Sequence, residues 1–293
     1  MRSFSREEIF ALDPRHVADA MADALAMVAR GAAVAPVRGH IDFGEGAGTF
    51  LISGALTELD LLTVKVINVR PGNAARGMPR LEGGLMAFRA STGEPLATLD
   101  ARAATEVRTA ACSGLSFRLL GRPDASVLVI FGTGPQANAH RRALSAEREF
   151  REVRFVGRGG DAAGALAGAD AVVTATNSAT PLFSADAVRA GTHLMCVGSG
   201  SAAAMEVEPE LLARASAIRV DHRASCLAEA GEIVRAVSAG LIRESAVREL
   251  GEVVIGRAPG RGDEAEITLY KSVGNGTQDA ALAALLLGVG SRR

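Results

Sequence analysis
A chain of 293 residues, 48% of them hydrophobic, is long enough to bury two cores of ordinary domain size. Charged residues make up 22% and sum to a net charge of −1, which leaves no basic surface for nucleic acid and no polybasic anchor for a membrane, so a small molecule is the expected partner. Arg2, Arg6, Glu7, Glu8 and Asp13 break up the N-terminal stretch, no apolar run reaches about 18 residues, and Cys112, Cys196 and Cys226 lack disulfide or metal-ligand spacing, so the expectation is a soluble, cytoplasmic protein without a metal site.

Taken in order, Asp13 and Pro14 form an N-cap and first-turn pair for a helix over 16–30 that stops at Gly31. From 32 to 99 the pattern turns to short β-type runs at 49–52, 61–69, 84–88 and 95–99, punctuated by Pro71-Gly72 and Thr92-Gly93, which predicts a mixed or antiparallel sheet. A helix over 100–120 follows, closed by Gly121 and Pro123, and 121–124 is the expected domain junction. The segment SVLVIFGTGPQANAH, 126–140, then reads as an apolar strand, a tight glycine turn and a helix start. Gly132 allows the turn, Gly134 lets the backbone approach a pyrophosphate, Ala137 permits close helix packing, and Thr133 and Gln136 lie beside them. The helix N-terminus would receive the phosphate charge.

Strands at 153–156, 171–174, 193–197 and 217–220 alternate with helical or loop segments, the signature of a parallel sheet with crossover helices. The segment 157–170 has room for about two helical turns but not for another helix and strand. A Rossmann sheet trimmed of its third strand is predicted. Residues 231–256 read as helical with a break near Gly240, 267–270 as a strand, 271–274 as a turn and 277–287 as a helix. The fold class is α/β: a trimmed Rossmann domain, a doubly wound parallel sheet, over 122–276, plus an α+β domain formed by both chain ends, 1–121 and 277–293.

Only Lys65 and Lys271 among the 32 basic residues are lysine. Where surface cations are written as arginine, a retained lysine marks a place that a planar, permanently charged fork cannot fill. Lys65 lies in LLTVKVINV, apolar on both strand faces, so it is either a paired or cavity-facing cation or an edge-strand gatekeeper. Arg108 has small helical neighbours that leave room for a long cation, and Arg38 follows Pro36 near the start of the sheet; each reads alternatively as a solvated surface residue. Together the three would make a clamp for a substrate carboxylate.

The segments VKVINVRPGN (64–73), EVRTAACSGL (106–115), GTGPQANAH (132–140), ADAVVTATNSATPLF (169–183), GTHLMCVGSG (191–200), RELGEVVIGR (248–257) and ITLYKSVGNGTQDAALAA (267–284) resemble the ornithine cyclodeaminase/mu-crystallin family over nearly the whole chain. The resemblance implies a nicotinamide cofactor, an imino or amino acid substrate and a homodimer. The domain built from both chain ends would bind substrate and dimerise. By motif position Arg38, Lys65 and Arg108 match the family's substrate-carboxylate residues, with Lys65 and Arg108 at the catalytic centre, and Thr176, Asn177, Val197, Gly198 and Ser272 join the glycine turn in holding the cofactor.

The chain also departs from the family. Where cyclodeaminases carry an acid/base Asp after the strand ending in Val197-Gly198, this chain reads Ser199, Gly200, Ser201, Ala202, Ala203, Ala204; Gly84 stands for a cofactor-contacting Thr and Ser53-Gly54 for Met-Pro. Without a carboxylate in that loop, hydride transfer to an imine, as by a ketimine reductase or amino acid dehydrogenase, is favoured over cyclodeamination of ornithine. The remaining alternatives are a cyclodeaminase using another acid such as Asp221, which otherwise reads as a helix cap, and a non-catalytic NADP-dependent ligand-binding protein. At the end of the second Rossmann strand the chain reads Gly157, Arg158, Gly159, where NAD enzymes place a carboxylate on the ribose. Arg158 therefore favours NADP(H) over NAD(H), unless Asp161 reaches the ribose instead.

Overall fold
The structure is a computed structural model, and it describes residues 1–198 and 201–290. The chain forms two compact units, one from Met1–Arg108 together with the segment from Asn275 onward, the other from Thr109–Gly274.

The first unit begins with β1 (Arg2–Phe4), α1 (Arg6–Ala11) and α2 (Pro14–Arg30). Asp13 accepts the Arg15 and His16 backbone N–H groups and Pro14 takes the first helical position, so the sequence signal for this helix acts as read. A sheet follows, built from β2 (Ala33–Val34), β3 (Gly39–Gly44), β4 (Ala47–Leu56), β5 (Leu61–Val69), β6 (Leu81–Arg89) and β7 (Pro95–Asp100). Its order is β1-β7-β6-β5-β4-β2, with β3 also on β4; β1 runs parallel to β7 and the other pairs are antiparallel. Three of these strands lie outside the runs read from sequence. β2 is a two-residue pairing on β4, and β3 forms a hairpin with β4 that closes at Glu45 and Gly46, both with positive φ. The three-residue β1 is too short to show a period, and only its pairing with β7 makes it a strand. α3 (Ala101–Leu120) comes next, and the division between the units falls inside it, after Arg108, upstream of the Gly121 junction read from sequence.

The second unit is a doubly wound parallel sheet. In chain order it holds β8 (Val127–Phe131), α4 (Pro135–Glu147), β9 (Glu152–Val156), α5 (Ala162–Leu166), β10 (Ala171–Thr174), β11 (His193–Cys196), α6 (Pro209–Arg214), β12 (Ala217–Val220), α7 (Arg223–Glu229), α8 (Gly231–Ser238), β13 (Val247–Glu249), α9 (Leu250–Val254) and β14 (Thr268–Lys271). The strand order is β13-β12-β14-β11-β10-β8-β9, every pair parallel. β9 is an edge strand and only the short α5 separates it from β10, as the length of 157–170 required. The expected broken helix over 231–256 is corrected: α8 stops before Gly240, whose φ is 69°, and Val247 pairs with Ile218 to make β13. Pairing on the free edge of β12 outweighs local helix propensity there. Val129, Phe131, Val172, Leu194, Ile218 and Leu269 from the strands join Leu166, Leu211 and Ile233 from the helices in one core.

The chain then closes the first unit with α10 (Gly276–Leu287), which packs on α2, β4 and β5. A Cβ on Gly54 would lie 2.4 Å from the Gly276 carbonyl carbon, and one on Gly276 would lie 2.1 Å from that of Ser53, so strand and helix meet backbone to backbone. Ile52, Leu56, Leu61, Ile67 and Leu85 are buried on the helix-covered face of the sheet. The opposite face carries Leu51 and Val64, 44% and 39% exposed. Among the described residues, no helix is long and apolar enough to cross a membrane.

Candidate active site
In the second unit five strands end in register. Val156 lies opposite Phe131, Phe131 opposite Thr174, Thr174 opposite Cys196 and Cys196 opposite Lys271, one row across the sheet. The residues just past that row are Gly157 and Arg158, Gly132 to Gly134, Thr176 and Asn177, Val197 and Gly198, and Ser272. Parallel pairing thus brings the sequence-predicted cofactor residues to one carboxyl edge, where open α/β sheets bind ligands. Thr133, Gly134, Arg158 and Asn177 are exposed and Gln136 is half-buried, while Ala137 is buried at the start of α4. Gly132 has φ 117°, and a Cβ there would lie 2.6 Å from the Ala175 carbonyl oxygen. At Gly134, the N-cap, a Cβ would meet nothing within 4 Å, and no side chain caps α4. The edge therefore offers a helix N-terminus with room beside it for a phosphate.

Ser272 is buried, and its hydroxyl donates to Asp221 Oδ2 at 2.8 Å. Asp221 also accepts the Gly274 and His222 N–H groups at 2.7 and 3.0 Å, so it anchors the turn after β14. This corrects the helix-cap reading, since His222 is the N-cap of α7, and it occupies the oxygens that an acid/base role would need. Asp161 caps α5 through the Gly164 N–H at 2.9 Å. Lys271 forms a fully buried pair with Glu232 at 2.9 Å. Burial lowers its pKa, but Glu232 and Glu206 more than offset this and leave it raised.

The first unit gathers the other candidates. β5 is a central strand, flanked by β4 and β6, so Lys65 is no edge gatekeeper. Its side chain points to the covered face and is 1% exposed. Nζ donates to Asp279 Oδ1 at 2.8 Å and to Thr105 Oγ1 at 3.2 Å. Arg108, 5% exposed, donates from Nη1 to Gln278 Oε1 at 2.8 Å and places Nε 3.7 Å from Asp279 Oδ1. Neither cation is solvated, contrary to the surface alternative for Arg108. Arg38 is half-buried, with its guanidinium 4.6 Å from the Phe50 ring centroid. Burial pushes the Lys65 pKa down to about 8, with Arg108 and Arg38 lowering it further and Asp279 holding it up. A buried lysine whose pKa is drawn down from the ordinary ammonium range is suited to proton transfer.

Sequence reading missed Asp279, Gln278 and Thr105. The available signal was a polar pair opening the otherwise apolar helix GTQDAALAALLL, but an acidic first-turn residue is already explained by the helix dipole. Thr105 Oγ1 donates to the Ala101 carbonyl at 2.7 Å, which leaves its lone pairs for Lys65. Among the described residues no group of three or more His, Cys, Asp or Glu side chains is placed to hold a metal ion. Ser199 and Gly200, part of the loop read as lacking a carboxylate, lie outside the described residues.

The chain belongs to the ornithine cyclodeaminase/mu-crystallin family, whose model matches residues 6–167 and 156–287. Among curated relatives, a Delta(1)-pyrroline-2-carboxylate reductase of Bacillus cereus is 32% identical over 289 residues, 88% of this chain and 89% of the relative. Among solved structures, Thermococcus litoralis Delta(1)-pyrroline-2-carboxylate reductase in complex with NADH and L-proline superposes with a TM-score of 0.91 at 27% identity, covering 100% of both chains. The iminosuccinate reductase of Paracoccus denitrificans in complex with NAD+ gives a TM-score of 0.88 at 29% identity, over 98% of this chain and 95% of that one.

Proposed function
We propose that this protein is an NAD(P)-dependent oxidoreductase that reduces an imino acid to the amino acid, or runs the reverse oxidation. The observation that carries this reading is Lys65, buried between Asp279 and Thr105 with Arg108 and Arg38 close enough to depress its pKa. Arg38 and Arg108 hold the substrate carboxylate, and Lys65 donates a hydrogen bond or a proton to the substrate. The nicotinamide, when bound, supplies the hydride. Gly132, Thr133, Gly134, Gln136, Ala137, Gly157, Arg158, Thr176, Asn177, Val197, Gly198 and Ser272 would hold the nucleotide along the carboxyl edge of the second unit's sheet. Relatives of this chain are reductases of pyrroline-2-carboxylate and iminosuccinate, which supports the substrate class.

Reduction is favoured over cyclodeamination because residues 199–204 contain no carboxylate and Asp221 spends its oxygens on the turn after β14. Among nucleotides the reading favours NADP(H): Arg158 is exposed just past β9, and Asp161, the competing ribose ligand, caps α5. The proposal includes a homodimer, supported by the open apolar face around Leu51 and Val64, which is unusual for a monomer. The test is oxidation of NADPH and NADH by the purified protein with a panel of cyclic and acyclic imino acids. Turnover is expected with at least one cyclic imino carboxylate, and none with ornithine; efficient conversion of ornithine to proline would overturn the reading.

A further inference from the structure
Glu206 is fully buried, with a relative exposure of 0%, and is bonded on every side. The chain leaves β11 at Val197 and Gly198, and by residue 205 it has returned alongside the strand ends. There Met205 N–H donates to the Ala179 carbonyl and Leu182 N–H to the Glu206 carbonyl. The Glu206 side chain then reaches between two strand ends. Oε1 accepts the Thr176 N–H at 2.7 Å and the Thr176 hydroxyl at 2.6 Å; Oε2 accepts the Thr174 hydroxyl at 2.8 Å and the Gly198 N–H at 2.7 Å. Four donors fill four lone-pair positions of one carboxylate. The fit is tight, because a Cβ on Gly198 would lie 2.3 Å from both Glu206 Oε1 and the Thr176 carbonyl oxygen.

From this geometry we infer that Glu206 is a positioning residue for nucleotide binding: it ties the turn after β10 to the turn after β11, so that Thr176, Asn177, Val197 and Gly198 present a preformed edge to the cofactor. The inference rests on the nucleotide reading proposed above. Glu206 need not touch the ligand. It fixes the backbone of two turns that β-pairing no longer holds, because the β10–β11 ladder ends at Thr174 and Cys196. A glutamine keeps one acceptor oxygen but turns an NH2 group on the other pair, a backbone N–H that cannot accept and a hydroxyl that must reverse its bond.

The same sheet supplies a control. Asp170, 4% exposed, ties the opposite strand ends in the same manner: Oδ2 accepts the Ser126 and Val127 N–H groups at 2.8 and 2.9 Å, and Oδ1 pairs with Arg189. It lies at the start of the strands, away from the carboxyl edge.

The experiment compares Glu206→Gln with Asp170→Asn by fluorescence titration of NADPH and NADH, beside circular dichroism and thermal melts. Both variants are expected to melt earlier. Only Glu206→Gln should raise the nucleotide Kd, by tenfold or more, with kcat recovering at saturating nucleotide. Unchanged nucleotide affinity in a folded Glu206→Gln protein, or an equal loss in both variants, would overturn the inference. Should Glu206→Gln not fold, Thr174→Val removes one donor at constant shape and is expected to raise Kd a few-fold, while an unchanged Kd counts against the inference. A wild-type protein that binds neither nucleotide overturns the proposed function itself.

Discussion

Lys65 and Asp279 decide most of what can be tested one side chain at a time. Lys65→Met should cut turnover by at least 10²-fold, the usual scale of a positioned proton donor, while leaving NADPH affinity nearly intact; full activity in the variant would remove Lys65 from the mechanism. If Lys65 acts as proposed, its ammonium form is the donor, so activity should be full below a pH of about 8 and fall as pH rises through it. Asp279 raises that pKa, so Asp279→Asn should move the alkaline limb of the kcat/KM profile to lower pH. The same variant removes the charge partner of a buried lysine, a loss of about 3–5 kcal/mol where a buried pair is broken on one side. Arg158→Ala should weaken NADPH by about tenfold, the worth of one charge-assisted contact, and leave NADH unchanged, as read by titrating both nucleotides. Tighter binding of NADH than NADPH, unaltered in the variant, would withdraw the preference for NADP(H). Lys65 stood out in the sequence because lysine is rare in this chain, whereas Asp279 did not, because its partner lies 214 residues away and its local position already had an explanation.

At the level of elements, the contact between β4 and α10 sets where Asp279 stands. Gly54→Ala or Gly276→Ala forces a methyl group into backbone and should cost stability at the upper end of about 1–3 kcal/mol, seen as a lower Tm. Activity per folded molecule should also fall, because α10 carries both Gln278 and Asp279. Why Ser53-Gly54 occupies this stretch is visible only here: the glycine lets strand and helix backbones touch. The second unit was far more readable in sequence, since apolar strands separated by glycine turns state a parallel sheet and the shortness of 157–170 states which strand is missing. Pairing partners left no such trace. Val247 became a strand because β12 had a free edge, and β14 inserted between β11 and β12, ahead of strands that precede it in the chain. Both are decisions of tertiary structure, which local period cannot report.

For the whole molecule, the open sheet face around Leu51 and Val64 makes assembly testable. Leu51→Asp with Val64→Asp should convert a dimer into a monomer in sedimentation experiments, and a wild-type protein that sediments as a monomer would remove the dimer from the proposal. The return of the chain into its first unit has another consequence, one of timing. The Lys65–Asp279 and Arg108–Gln278 bonds join residues 214 and 170 positions apart, whereas the second unit is a single continuous segment. During synthesis, the lysine-bearing sheet is complete in sequence long before its carboxylate partner has been made. The second unit waits as well, because β14, which ends at Lys271, lies between β11 and β12, and the parallel sheet lacks an interior strand until that segment has been made and has left the ribosome. One late stretch thus completes both units, β14 filling the parallel sheet and α10 bringing Asp279 to Lys65.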